Sequence, residues 1–374
     1  MALFVDIKKP SPMVRSIMFI FALILSLSCQ TAPTAPEGLR PEAETNHVLI
    51  VVNKASEASV EIGAYYRTQR DVPKSNVVLV DCATSDNVPY AEFVSKIEQP
   101  VKKAIKDSKY KIDYIVLTKG VPIRLDNDGG WAVDAFLASM NMSVKPIERP
   151  DEDQVKRALN PYFEKDAPFS SEKFGGLYLV TRLDGATVAD AKRLVDNSMD
   201  AKADKGPFFF DQAGNRNGGG YDILNKTLAT ASEGLRKSGF QSALDTTDSF
   251  VVPSESLMGY CSWASNDDKF DLGEYRKLRF KPGAIAETFV STSARTFSKV
   301  TGGQSQITDL ISQGVTGVKG YVSEPYTFAL ARPEILFDRY TKGYNLAESF
   351  YMASLVIKWK DVVIGDPLCR PFRR

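Results

Sequence analysis

"HVLIVVNKASEASVEIGAYYRTQRDVPKSNVVLVDC", residues 47–82, holds the pattern on which the fold turns. An unbroken apolar run ends at Asn53, a stretch with helical spacing follows, and a second apolar run ends at Cys82. Strands buried on both faces read as continuous apolar runs, so the alternation predicts strand, helix, strand. It continues with "YAEFVSKIEQPVKKAIK", where Phe93, Ile97, Val101, Ala104 and Ile105 share one helical face and Pro100 predicts a kink. "IDYIVLTKGVPIRL", residues 112–125, reads as one long third strand. This order is the signature of a doubly wound, mostly parallel α/β sheet with helices on both faces.

Residues 126–174 interrupt the rhythm with charge and proline, and are expected to form an insertion whose small helix, near Val133 to Met140, covers the carboxyl edge of the sheet. The alternation resumes at 175 with "GLYLVTRLDG", a helix capped by Thr187, the strand "PFFFDQAG" and the helix "YDILNKTLATASEGLRKSG". The glycines of "GNRNGGG" lack the lysine and hydroxyl of a phosphate loop, which leaves a plain flexible loop. "SLMGYCSW", "GAIAETFVSTSART", the helix "SQITDLISQGV", the strand "TGVKGYVSEPY", a helical stretch from Pro333 to Val356 and "DVVIGDPLCRPF" complete the chain.

The start of the chain bears on compartment. "IMFIFALILSLS", residues 17–28, is too short for the roughly 20 residues that cross a bilayer and reads as the core of a signal peptide, with translation starting at Met13. Cys29 follows a small residue, and residues 30–45 read as a flexible tether. Cys29 is the expected lipidation site of an exported, membrane-anchored protein; ordinary cleavage near Ala32, giving a secreted one, and a buried N-terminal helix are the alternatives. The membrane is then a partner through the lipid only.

Lys and Arg number 47 against 46 Asp and Glu, with no basic stripe, which argues against nucleic acid as a partner. Nothing in the sequence implies a cofactor. The single histidine, His47, opens the first strand, whereas a parallel sheet presents its chemistry at the carboxyl ends of strands. A Ser-His-Asp triad, a Cys-His dyad or a histidine-rich zinc site therefore cannot be assembled there. Cys82, Cys261 and Cys369 allow one disulfide at most in an oxidising compartment.

From 175 onward the strand order resembles the caspase-like fold, in its gingipain-type cysteine-peptidase form. "GYCSWAS" stands where that family carries its histidine loop, with Trp263 in the histidine's place, Tyr260 retained, and Ser262 and Ala264 where glycines would be. "FVSTSART" stands where the nucleophile would be and offers Ser291, Thr292 and Ser293 but no cysteine; Gly365, Asp366 and Pro367 match the closing motif. The resemblance implies a caspase-like domain lacking its His-Cys dyad. The mature chain also resembles a family of secreted bacterial proteins carrying "YLVTRLDG", "SEPY" and "GDPL", which brings no activity with it.

Polar groups are expected to gather at the carboxyl edge: Asn53, Lys54, Asp81, Lys119, Arg124, Arg182, Asp184, Asp211, Ser262, Ser291, Ser293, Arg295 and Glu324, with Trp263 as a cover or platform. Charges inside apolar strands are costly unless they pair, so these residues form either an Arg-carboxylate network, with Arg182 paired to Glu324, or a ligand cleft. Cys261 reads as a buried structural thiol, a disulfide partner or a nucleophile. Asp267, Asp268, Asp271 and Glu274 read as a solvated loop or a calcium site. The leading function is a binding module for a protein or small-molecule ligand. The alternative is a hydrolase in which Asp184 or Glu324 acts with Arg182 or Arg295.

Overall fold

The computed structural model describes residues 43–373 apart from residue 128. The signal segment, Cys29 and most of the tether lie outside these residues. Among the described residues twelve strands are present: β1 (Val48–Asn53), β2 (Val77–Val80), β3 (Asn87–Pro89), β4 (Tyr114–Thr118), β5 (Arg124–Asp126), β6 (Leu179–Leu183), β7 (Phe208–Asp211), β8 (Ser242–Asp245), β9 (Ser256–Ser262), β10 (Arg279–Thr288), β11 (Gly317–Tyr321) and β12 (Asp361–Ile364). Ten form one sheet in the order β2-β1-β4-β6-β12-β11-β10-β9-β7-β8, and β3 pairs with β5 apart from it. The β2-β1-β4-β6 and β11-β10-β9-β7-β8 pairings are parallel. β12 returns antiparallel to β11 and meets β6 at a single pair, Ile364 and Arg182.

The expected strands and helices form for the reasons their sequence suggests. β1 and β4 are buried along their whole length, as continuous apolar runs require. The helix Glu57–Arg70 is capped by Ser56, whose side chain accepts from Ser59 N. Thr187 and Asp190 close a capping box on the helix Val188–Met199, whose Ala191, Leu194 and Val195 are buried.

Three expectations on the elements are corrected, and the kink expected at Pro100 gains a local form. The long third strand is two: Gly120 at φ +98° turns the chain, Pro122 lacks an N–H for a ladder, and β5 pairs with β3 instead. Pro100 cannot donate to the carbonyl of Lys96, and the chain widens ahead of it into a π-helical turn at Phe93–Glu98 before the helix Gln99–Asp107. The stretch from Pro333 to Val356 is two helices, Pro333–Thr341 and Leu346–Met352, parted around Gly343. The inserted helix, Val133–Ala138, is wholly buried and packs on β6 and β12 rather than over an edge.

Loops that follow different strands meet. Arg124, beyond β4, donates to Val322 O, just beyond β11, at 2.9 Å, and Ser323 Oγ donates to Gly130 O at 2.7 Å. Asp366, in the closing "GDPL", is buried and accepts from Tyr66 Oη at 2.8 Å, Arg70 Nε at 2.5 Å and Ser198 Oγ at 2.8 Å. The C-terminal motif thus ties down the helices that follow β1 and β6.

Candidate functional site

The charges of "TRLDG" are spent inside the protein. Arg182, with no exposed surface, donates to the Asp134 carboxylate at 3.2 Å from Nε and 2.7 Å from Nη2. Its remaining bonds go to Val121 O at 2.6 Å and Pro122 O at 2.9 Å. Asp184 lies 3.7 Å from Arg182 and accepts from Lys119 Nζ at 3.1 Å and Gly185 N at 2.8 Å. Burial pushes the carboxyls of Asp134 and Asp184 up, and the cations beside them pull back part of that rise. An Arg-carboxylate network exists, but the expected partner is wrong. Glu324 is exposed and accepts from Tyr326 N at 2.9 Å, while Asp134, from the insertion, faces Arg182.

An open cleft of about 460 Å³ lies where β9, β10 and β11 end. Trp263, next after β9, packs edge-on against Tyr221 and Phe289, with ring centres 5.6 and 5.0 Å away, and its indole N–H donates to Asn225 Oδ1 at 2.7 Å. Arg216, from the glycine loop, lies over Tyr221 and Trp263. Ser291 and the segment Glu324 to Thr327 complete the wall. Ala264, where the resemblance places a glycine, takes a left-handed φ of 43°, and Tyr326 takes φ 61°. Strained backbone of this kind concentrates at ligand sites.

The other expected site residues are dispersed. Ser262 and Ser293 are buried and serve the backbone, accepting from Ala264 N and Tyr321 N. Arg295 ties down its own loop through Thr292, Gly302 and Gln304 carbonyls. Arg124 bridges Asn87 and Val322. Of the thirteen polar groups, Ser291 and Glu324 reach the cleft, alongside Trp263. Arg216, Tyr221 and Tyr326 were missed. The glycine loop that carries Arg216 and "SEPY" were both visible in the sequence, but a loop with no phosphate motif gave no reason to examine its arginine.

Cys261 has no exposed surface, and burial, with Glu287 and Glu334 adding to it, pushes its thiol well up. Cys82, Cys261 and Cys369 are all free, so the one disulfide the sequence allows is not formed. Asp267 accepts from Lys269 N and Asp271 caps the helix Leu272–Tyr275, so this loop uses its carboxylates locally; no metal-holding cluster occurs among the described residues. Asp211, at the end of β7, is pushed up to about 8, first by burial and then by Asp245 and Asp267, and one of its oxygens has no partner.

No family model matches the sequence, and no curated protein matches it. Solved structures do resemble the fold, two proteases among them. The first is the Arg-specific cysteine proteinase gingipain R, with a TM-score of 0.55 and 13% identity over 88% of this chain and 79% of that one. The fold is caspase-like. A second protease structure resembles it with a TM-score of 0.51 and 11% identity over 88% of this chain and 79% of its own. The likeness covers 88% of this chain rather than its C-terminal part alone, and the cleft lies at the ends of β9 and β10.

Proposed function

We propose that this is an exported, lipid-anchored binding module that uses the cleft of a caspase-like domain to hold a ligand without cleaving it. What supports the reading is Trp263, which the sequence resemblance matches to the histidine's place and which is fixed by Asn225 and flanked by Tyr221 and Phe289. An indole has no basic nitrogen for general-base work, and a thiol in the core with a raised pKa is a poor nucleophile. The hydrolase alternative loses support because Arg182 and Asp184 are buried in a paired network and Arg295 holds its loop, which leaves Glu324 as the one of those four residues in the cleft. No helix among the described residues is long and apolar enough to cross a membrane; the anchor in this reading is a lipid on Cys29.

The protein should hydrolyse no peptide reporter, and Cys82, Cys261 and Cys369 should resist a peptidyl electrophile until denaturant is added. Stoichiometric native labelling of Cys261 would sink the non-catalytic reading. In a bacterial host, Cys29→Ala should release the protein from the membrane fraction; full retention counts against the anchor.

A further inference from the structure

We infer that the cleft beside Trp263 receives a zwitterion of short-peptide size, with its carboxylate on Arg216 and its ammonium on Glu324. The inference rests on reading this cleft as a binding site. Arg216 is held in place: Nε donates to Asn266 O at 2.5 Å, and the guanidinium lies 5.4 Å from the Tyr221 ring centre and 5.8 Å from that of Trp263. This spends the Nε proton and leaves the terminal amines on the cleft wall without an acceptor among the described residues. A guanidinium fixed on aromatic rings with its terminal amines open is preorganised for a carboxylate.

Glu324 supplies the opposite charge. One oxygen accepts from Tyr326 N, while Lys360 donates to the backbone oxygen of Glu324, at 3.0 Å, rather than to its carboxylate. Among the described residues no ion pair joins Arg216 and Glu324, although both line one cleft. An anion alone would be repelled by Glu324, and a cation alone by Arg216. A ligand carrying both charges satisfies both walls. The cleft, at about 460 Å³, has the size of a small-molecule site.

The cleft wall also offers exposed aromatic residues, Tyr221 and Tyr326. Trp263, Phe289 and Leu330 are buried apolar lining, and the exposed ring of Tyr326 stacks on Phe328 at 7° between planes. Tyr326 is held at φ 61°, and the Glu324 bond to its N–H fixes it there. A short peptide with free ends and an aromatic side chain matches this lining.

Calorimetry on the full chain with four probes tests the proposal: alanyl-phenylalanine with free ends, its N-acetyl form, its C-terminal amide, and the doubly blocked form. The free dipeptide should bind tightest, and blocking either end should weaken binding by about tenfold or more, the loss of one charge-assisted contact. Arg216→Gln should erase the difference between the free and amidated forms. Glu324→Gln should erase that between the free and acetylated forms. Equal affinity for free and doubly blocked peptide would overturn the charge assignment while leaving a binding cleft, and no heat from any of the four would overturn the peptide-like ligand. The comparison of blocked ends needs no variant, and the peptidase and thiol assays judge the wider reading separately.

Discussion

Arg182 illustrates what a single residue in a strand discloses and what it hides. That a charge inside "YLVTRLDG" must pair followed from the cost of burying it alone. Its partner could not be read, because Asp134 lies in an insertion whose path over β6 is set by packing. Truncating either Arg182 or Asp134 should destabilise by about 3–5 kcal/mol, since each leaves the other charged and buried. Urea unfolding of Arg182→Ala, Asp134→Ala and the double variant should show a loss well below the sum. The same cycle with Glu324→Ala should be additive within about 0.5 kcal/mol; coupling there would restore the discarded pairing. Asp211 makes a second residue-scale prediction. Its carboxyl is pushed up to about 8 in the folded protein and ionises near 4 when unfolded. Between those values the folded state holds the extra proton, so this contribution is complete below about pH 4 and drains away as pH rises to about 8. Thermal melts should show Asp211→Asn gaining on the parent protein from pH 5 to pH 8; a constant difference would refute the assignment.

At the scale of the element, legibility followed the strength of the local pattern. β1, β4, β7 and β9 announced themselves as apolar runs, and Thr187 announced a helix. β8 went unread because "SALD" is short and lies at the sheet edge, where little burial is demanded of it. β9 carries a constraint that no apolar pattern displays. A Cβ on Gly259 would stand 2.3 Å from Phe208 and 2.7 Å from Phe337, so ring packing from β7 and the helix Pro333–Thr341 excludes any side chain. Gly259→Ala should therefore cost about 1–3 kcal/mol, the usual range for overpacking, and a shift in urea midpoint would measure it. A neutral substitution would mean that these rings move aside freely.

For the whole molecule, the alternation of strands and helices disclosed a mostly parallel sheet, and the matched loops pointed to a caspase-like fold. The sequence did not disclose how the two halves join, because the joining strand is the last one made. β12 stands between β6 and β11, and Asp366 just beyond it reaches back to Tyr66 and Arg70. Loop closures of this length are the slow part of folding. While the ribosome is still working, β6 and β11 both lack their neighbour, and the helix Glu57–Arg70 lacks its anchoring carboxylate. β12 and Asp366 thus act as a keystone: removing residues 361–366 should leave two open sheet edges and a helix without its anchor.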